Sequence, residues 1–435
     1  MKAIFYLSVT ILGLFTMHSC VKDTCVHTKK YLHYEPVFIT QEEFDAPAEY
    51  TLARPMENTG TIYAYGSYIF VNEFQRGIHI IDNHNPQSPN VKGFIEIPGN
   101  THFTVKSNML YANKLEDLVV LDITDVDQPL QVNRISDVFQ LHRAQSSDQG
   151  ILAYYESTDE AIEIDCNDQR YNSLIFSFND RLFFDFEAFT PSANLQFAAV
   201  NNAKAVVESG NSPSTIGVGG SMARFTTFGE YLYVLSDHSL ETIDITTPDQ
   251  PVKHASTNVA FTAETIYPFE GHLYIGTTNG MHIYNVSHSG TPEFVSTTAH
   301  IQSCDPVISD GEYAYVTLRG GTECGGFTNQ LEAYDIQNPF TPTRVQIFPM
   351  DNPHGLTKVG DYLYICEGPG GWKKVKSNLP GQFTLEQTNS SHSAYDVLVT
   401  PQFTLLFVGS KGIFQYSMDG VNNPQLISQV EFVLP

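Results

Sequence analysis

The chain has few basic residues for its length, and this shortage argues against one large class of function. Its 435 residues include 23 lysines and arginines against 48 aspartates and glutamates, a formal net charge of −25 at pH 7. Nucleic-acid affinity comes largely from Lys and Arg that neutralise phosphates, and adhesion to anionic lipid needs a basic patch. We therefore expect no nucleic-acid partner. Cations, or neutral or basic partners, suit this surface better.

The sequence also lacks the short motifs of the standard catalytic sites. It contains no G-x-S-x-G elbow, no Walker loop and no H-E-x-x-H pair, and no cysteines stand at CxxC spacing. A single tryptophan, Trp372, offers few platforms on which sugars could stack. Two roles fit Trp372, namely packing in the core and contact with a ligand at the surface. No cofactor is required by the sequence, although a bound divalent cation is compatible with it.

Only the N-terminus carries a long apolar run. Lys2 precedes the stretch 3–17, which is shorter than the roughly 18 residues of a membrane span and has the layout of a signal peptide. Ser19 and Cys20 then resemble a bacterial lipobox. This predicts a signal peptide over 1–19, lipidation of Cys20, a tether and lead-in over 20–59, and membrane contact through the lipid alone. The alternative is an ordinary signal peptide with Cys20 incidental.

Cysteines are few, and after Cys20 an odd number remains. Export to an oxidising compartment then leaves at least one free or intermolecular thiol. Cys304 and Cys324 flank one strand-turn unit and are the favoured disulfide pair, in preference to metal ligation. The five remaining cysteines are Cys25, Cys166, Cys304, Cys324 and Cys366.

One pattern recurs along the chain, and it predicts the fold. A Leu-Tyr-Val strand is followed by an apolar strand that ends in Asp, with Pro about seven residues later. Three of the six steps between aromatic landmarks are 41 residues, and two more are 49 and 43. Four short strands per 40 to 45 residues is the size of a propeller blade. The landmarks are Phe70, Tyr111, Tyr233, Tyr274, Tyr315, Tyr364 and Phe407.

The repeat predicts an all-β fold, a β-propeller of seven blades of about 41 residues over 60–435. A solenoid is the alternative architecture, but the blade-length period favours a closed ring. The Asp of the repeat is expected to be structural, because its carboxylate can accept hydrogen bonds from the following turn. Copies six and seven are degraded, with Lys376 and Ser417 in the Asp position.

The step from Tyr111 to Tyr233 exceeds one repeat by 81 residues. We interpret 140–219 as an inserted lobe, with a divergent eighth blade as the alternative. Its acidic cluster lacks the ligand spacing of an EF-hand, so a solvated acidic loop is favoured over a calcium site. The cluster comprises Glu156, Asp159, Glu160, Glu163, Asp165 and Asp168.

The block 117–122, Asp-Leu-Val-Val-Leu-Asp, resembles the repeat that names the LVIVD-repeat proteins, exported β-propeller lipoproteins frequent in Bacteroidetes. Segments 77–85, 219–225, 303–307 and 352–356 are also similar to that family. The resemblance covers roughly 60 to the C-terminus apart from the insertion. It implies the fold and export, and it says nothing about activity, because fold does not imply function.

A binding or catalytic site is expected where the innermost strand of each blade begins. The repeat register places polar side chains there in several blades, so they are predicted to converge on the mouth of the central channel. Such a mixture could bind a metal or a small polar ligand, but polar groups at a wet mouth can also be mere caps. The candidates are His102, Arg224, Glu264, Asp305, His354 and Asp396.

Two functions fit these observations. The favoured one is a lipid-anchored binding or scaffolding module for a protein or small polar ligand, on the outer membrane and facing the periplasm or the exterior. The alternative is an envelope enzyme, a hydrolase or lyase on glycans, that uses the channel-mouth cluster. A metal held by His102 and His354 is less favoured, because they lie on non-adjacent blades. His300 and His392 are expected to be exposed loop residues.

Overall fold

The computed structural model describes most of the repeat region and parts of the insertion. The described residues are 26–57, 59–139, 145–146, 149–165, 175–178, 181–185, 217–219, 221, 223–236, 239–259, 263–277, 279–299, 306–320, 328–418 and 423–432. They fall into two compact units. The larger holds the described residues of Val37–Tyr154 and Ser192–Pro435, and the smaller holds those of Met1–Pro36 and Tyr155–Pro191.

The N-terminal part of the described chain alternates extended and helical structure. It comprises β1 (Val26–Ile39), α1 (Gln41–Asp45) and β2 (Glu49–Leu52). Thr40 caps α1, because its hydroxyl accepts the backbone N–H of Glu43 while the Glu43 carboxylate accepts the backbone N–H of Thr40.

The larger unit is built from antiparallel sheets whose strands follow one another in sequence, as β-branched and aromatic alternation predicts. Blade 1 contains β3 (Thr59–Tyr65), β4 (Tyr68–Glu73), β5 (Gly77–Asp82) and β6 (Asn90–Glu96). Blade 2 contains β7 (Phe103–Lys106), β8 (Met109–Lys114), β9 (Asp117–Asp122) and β10 (Leu130–Ile135).

The chain then enters the insertion, which contributes β11 (Gln145–Ser146), β12 (Gly150–Asp165), β13 (Ile175–Phe178), β14 (Arg181–Asp185) and β15 (Gly217–Gly219). Strands β11 to β14 form a sheet with β1, in the order β11-β12-β1-β14-β13. The residues from Glu156 to Asp165 therefore lie in an extended strand, so the expectation of an acidic loop is wrong for them. Asp168 lies outside the described residues.

The remaining blades follow without interruption. Blade 3 contains β16 (Phe225–Phe228), β17 (Tyr231–Leu235), β18 (Ser239–Asp244) and β19 (Val252–Asn258). Blade 4 contains β20 (Ala263–Phe269), β21 (His272–Thr277), β22 (Gly280–Asn285) and β23 (Glu293–Ala299). Blade 5 contains β24 (Val307–Ser309), β25 (Tyr313–Leu318), β26 (Gln330–Asp335) and β27 (Thr343–Pro349).

Blade 6 contains β28 (Leu356–Val359), β29 (Tyr362–Cys366), β30 (Trp372–Ser377) and β31 (Phe383–Asn389). Blade 7 contains β32 (Asp396–Val399), β33 (Thr404–Gly409), β34 (Gly412–Ser417) and β35 (Gln425–Glu431). The described strands thus form the predicted seven-bladed propeller. Strands β11 to β14 of the insertion join β1 in one sheet and β15 pairs with β3 of blade 1, so the described strands of the insertion form no eighth blade.

The innermost strands surround the axis in the order of the blades. Strand β3 contacts β7, β7 contacts β16, and the series continues through β20, β24, β28 and β32. Buried apolar side chains of adjoining blades form the core between them. The landmark tyrosines join this core to the next blade, because Tyr111 donates to Pro248 O at 2.8 Å and Tyr233 donates to Gly290 O at 2.7 Å.

The Asp that ends the third strand has the structural role that its position predicts. The Oδ1 atoms of Asp82, Asp122, Asp244 and Asp335 each accept the backbone N–H two residues on, at 2.8 to 3.0 Å. Asn285 does the same in blade 4. These turns set the direction of the chain toward the fourth strand. The prediction of a structural Asp is confirmed.

A β-bulge recurs at the same place in every blade, between the third and fourth strands. The fourth strand carries one residue that the ladder skips, which bends the outer edge and increases its twist. The degraded blades 6 and 7 keep the bulge, so the geometry survives loss of the Asp. The skipped residues are Lys92, Val132, His254, Val295, Val345, Glu386 and Ile427.

The segment before blade 1 contacts both blade 1 and blade 2. Strand β2 pairs with β6 and so becomes an additional outer strand of blade 1. The buried Lys114 donates to the carbonyl oxygens of Glu43 and Ala46 at the end of α1, at 3.2 and 2.6 Å. Burial lowers the pKa of Lys114 to about 8. Arg134 also donates to Phe44 O at 2.8 Å.

Candidate site at the channel mouth

The structure places the described candidates at or beside the start of an innermost strand. His102 precedes β7, Arg224 precedes β16, and His354 precedes β28 by one residue. Glu264 lies within β20, and Asp396 begins β32. Asp305 lies outside the described residues. Five of the six candidates therefore occupy the end of the ring where their strands begin.

His102 is held through its backbone by a set of asparagines. Its N–H donates to Asn113 Oδ1 at 2.9 Å, and its carbonyl accepts Asn100 Nδ2 at 2.9 Å. The half-buried imidazole packs against Phe225, with ring centroids 5.9 Å apart. Burial, and then the nearby Arg224 guanidinium, lower the pKa of His102 to about 3. His102 is therefore a neutral imidazole at physiological pH.

In blade 6 the strand pairing aligns Gly355 with His102, and the adjacent His354 is almost completely buried. Its N–H donates to Cys366 O at 2.8 Å, and its carbonyl accepts the Thr317 hydroxyl at 2.8 Å. Tyr395 packs edge-on against the ring, and Asn352 Nδ2 lies 3.3 Å from Nε2. Burial, and then Arg319, hold the pKa of His354 well below its usual value. This imidazole is also neutral.

Asp396 contacts a serine that the repeat pattern did not include. The buried Ser221 donates its backbone N–H to Asp396 Oδ1 at 3.4 Å, and its hydroxyl lies 3.5 Å from the same oxygen. A Cβ at Gly355 would stand 2.2 Å from Asp396 Oδ1, so a side chain there would force the carboxylate to move. The signal that could have indicated this contact is Gly219-Gly220-Ser221, which sequence analysis used only for its family resemblance.

Arg224 and Glu264 are half-buried members of the same mouth. The backbone around them is fixed, because Arg224 O accepts the N–H of Leu235 at 2.7 Å and Ala223 O accepts the N–H of Ile266 at 2.8 Å. The mouth therefore combines two neutral imidazoles with a guanidinium and carboxylates on a hydrogen-bonded frame, but His354 and Asp396 are buried. The half-buried His102, Arg224 and Glu264 can donate to and accept from a small polar ligand.

No metal-ligand trio in the described parts of the chain includes His102 or His354. The trio found there, with ligand atoms within 4.8 Å of one another, is Glu116, Asp117 and Asp137. Asp117 already accepts Arg134 Nε at 2.6 Å and the backbone N–H of Asp137 at 3.0 Å. Those contacts give the Asp117 carboxylate a structural role in blade 2.

Of two further side chains singled out by the sequence, Trp372 lies in the core and His392 at its edge. Trp372 is fully buried and stacks on Phe407 with centroids 5.0 Å apart, which makes it a packing residue. His392 is half-buried, stacks on Phe414 at 3.7 Å and lies 2.7 Å from the Tyr416 hydroxyl. His392 does lie in a loop, between β31 and β32, but the expectation that it is exposed is wrong. His300 lies outside the described residues.

The cysteine predictions fall largely outside the described chain. Cys20, Cys25, Cys166, Cys304 and Cys324 are not among the described residues, so the Cys304–Cys324 pairing stays a prediction. Cys366 is a buried free thiol. Burial, and then the carboxylates of Asp396 and Glu367, raise its pKa well above the usual value. Across the described residues, no helix has the length and apolar character needed to cross a membrane.

Comparison with known proteins supports the repeat and the fold. The LVIVD repeat model matches residues 58–96, which span blade 1. No curated protein matches the chain. The structure of a functionally unknown protein from Desulfotomaculum acetoxidans DSM 771 is 10% identical, with a TM-score of 0.51 over 85% of this chain and 95% of that chain. A protein from Lactobacillus plantarum is 12% identical, with a TM-score of 0.52 over 86% and 97%.

Proposed function

We propose that this chain is an exported, lipid-anchored propeller that acts as a binding or scaffolding module at the cell envelope. The LVIVD match and the seven-bladed ring are compatible with such a module. The N-terminal sequence supports export and lipidation at Cys20, as in the Bacteroidetes-type lipoproteins that the repeat resembles. The proposed location is the outer membrane, on its periplasmic or external side, with the membrane contacted through the lipid alone.

One observation supports a ligand at the channel mouth. His102 and Arg224 are half-buried there, and they are close enough for the guanidinium to lower the imidazole pKa. One ring nitrogen of a neutral imidazole accepts a hydrogen bond, and the other ring nitrogen and the guanidinium donate. We propose a small polar ligand, or a polar side chain of a partner protein, as the group that these residues contact. Glu264 would complete the contact from blade 4.

The ligand proposal is tested with a thermal-shift screen of divalent metals and defined oligosaccharides, on the wild type and on His102→Gln with Arg224→Gln. His84→Gln is the matched control, because His84 is an exposed loop histidine on the third-to-fourth-strand turn of blade 1. A stabilising compound should lose its effect in the double variant and keep it in the control. Stabilisation that survives in the double variant would contradict this site. Turnover of an oligosaccharide that requires His102 would instead support the glycan enzyme.

The anchor proposal has a separate test. Cys20→Ser should move the protein from the membrane fraction to the soluble fraction, because a lipid on this thiol is the proposed membrane contact. Cys25→Ser is the matched control and should leave the distribution unchanged. Unchanged membrane association of the Cys20 variant would overturn the anchor without affecting the ligand proposal.

A further inference from the structure

Shortly before blade 3, a few described residues contact blades that lie elsewhere in the ring. We name Gly217–Gly219, Ser221 and Ala223 the return segment. It precedes β16 directly, so the same stretch that completes the insertion also begins blade 3. Its contacts reach blades far from blade 3 in the ring.

The first contact is a strand pairing with blade 1. Strand β15 pairs antiparallel with β3, with Gly217 opposite Tyr65, Val218 opposite Ala64 and Gly219 opposite Tyr63. One edge of β3 is already taken by β4. Because β3 is the innermost strand of its blade, the edge that β15 occupies faces the axis. Strand β15 also contacts β7 of blade 2 and β32 of blade 7.

The second contact ties blades 6 and 7. The hydroxyl of Ser221 accepts the backbone N–H of Leu356 in blade 6 at 2.8 Å. The backbone N–H of Ser221 donates to Asp396 in blade 7. Ser221 has no exposed surface, and Asp396 is 2% exposed. A residue from the middle of the chain thus lies between the first strands of two C-terminal blades.

The contacts of β15 with β3 and β32 lie where the ring closes, and those of Ser221 lie between blades 6 and 7 beside that seam. Blades 1 and 7 come from opposite ends of the propeller sequence, and among the described residues no strand belongs to both. Asn83 bonds Gln415, Ser428 bonds Pro86 O, and Gln402 bonds Gly66 O. These three contacts involve turns at the opposite end of the blades from Asp396. The return segment adds a tie at the channel-mouth end.

We propose that the return segment is an internal latch, which closes the seam between blades 7 and 1 at the channel mouth and whose release opens that mouth. Few contacts hold the return segment in place. The pairing with β3 is three residues long, two of them glycines that contribute no side-chain packing. Release would uncover Asp396 and loosen Leu356.

Ser221→Ala tests the latch, with Ser296→Ala as the matched control. Ser296 also makes one hydroxyl hydrogen bond to a neighbouring blade, to Pro339 O at 2.6 Å, but it lies in blade 4 away from the seam. The reporters are amide exchange in peptides that contain Leu356 or Tyr63–Tyr65, and alkylation of Cys366 quantified by peptide mapping. Cys366 suits this use because it is buried and its backbone N–H bonds Gly355 O beside Asp396.

Ser221→Ala leaves the Leu356 N–H without its acceptor, so alkylation of Cys366 and exchange at Leu356 should accelerate about tenfold. Ser296→Ala should leave both rates unchanged. Equal rates in Ser221→Ala and wild type, or equal acceleration in the control, would overturn the latch. If Ser221→Ala does not fold, amide exchange measured on the wild type tests the latch instead. Leu356 and Tyr63–Tyr65 should then exchange together and faster than Ile413–Tyr416, and uniform exchange would overturn the proposal.

Discussion

His102 and His354 both lie just before an innermost strand, in blades 2 and 6, yet their surroundings differ. Both are neutral, and both have their backbone fixed by hydrogen bonds from neighbouring strands. His102 keeps part of its surface exposed beside Arg224, whereas His354 is enclosed by Asn352 and Tyr395. The repeat therefore determines where a side chain is placed, and the neighbouring blades determine whether it can meet a ligand.

The largest expected effect comes from removing the enclosed ring. His354→Ala should lower the free energy of unfolding by about 3 kcal/mol, because it leaves a cavity and removes the edge contact with Tyr395. His102→Ala should cost about 1 kcal/mol, since its ring is only half-buried. Urea unfolding of both variants measures the difference. Equal losses would mean that the two environments are energetically alike.

Acid should destabilise the fold through both rings. The pKa of His102 is about 3 in the folded protein and about 6.5 in an unfolded chain. The unfolded state therefore binds more protons between these values, and stability is lost as pH falls through 6.5 toward 3. Each neutral histidine contributes at most about 1.4 kcal/mol per pH unit. His102→Gln should reduce the loss between pH 7 and pH 5 by about 2 kcal/mol, and an unchanged profile would contradict the low pKa.

Asn352→Ala should have a smaller effect, about 1 kcal/mol, because it removes one hydrogen bond to the His354 ring. Nitrogen-15 NMR of the imidazoles gives the sharper measurement. In the wild type, Nε2 of His354 should be the acceptor from the Asn352 amide, with the proton on Nδ1. Asn338→Ala, in an exposed turn of blade 5, is the control. A His354 spectrum unaffected by Asn352→Ala would show that the amide does not set the tautomer.

Acylation of the two imidazoles should differ without any change in stability. Diethyl pyrocarbonate reacts with neutral, accessible imidazole, so His102 should be modified well before His354 in the folded protein. Peptide mapping after short exposure measures both rates. Modification of His354 at the rate of His102 would contradict its enclosure.

Much of the ring could be predicted from local pattern, and the reason is physical. The turns after Asp82 and Asp122 are made by a carboxylate and a backbone N–H two residues away, so residue order alone encodes them. The same register located the channel-mouth candidates near the starts of the innermost strands, but the strand pairing offsets His354 and Asp396 by one residue from the place of His102. Burial around His354 did not follow from the register, because it depends on Tyr395 and Asn352 from other segments.

The contacts that sequence analysis missed join residues far apart in the chain. Ser221 meets Leu356 and Asp396 across more than a hundred positions, and a three-residue strand such as β15 carries no periodic signal. The pairing of β1 with β14 is likewise non-local, so the lead-in and the insertion were treated as separate regions. His392 was misjudged because its stacking partner, Phe414, belongs to the following blade sequence.

The bulge in every fourth strand has a consequence for molecules held close together on one surface. Each blade ends in an edge strand that could pair with the edge of a neighbouring copy. A skipped residue in the middle of each edge interrupts its regular hydrogen-bonding pattern, and β2 covers the edge of blade 1. Neighbouring copies of the proposed anchored propeller should therefore pair poorly through these edges, even at high density on a surface.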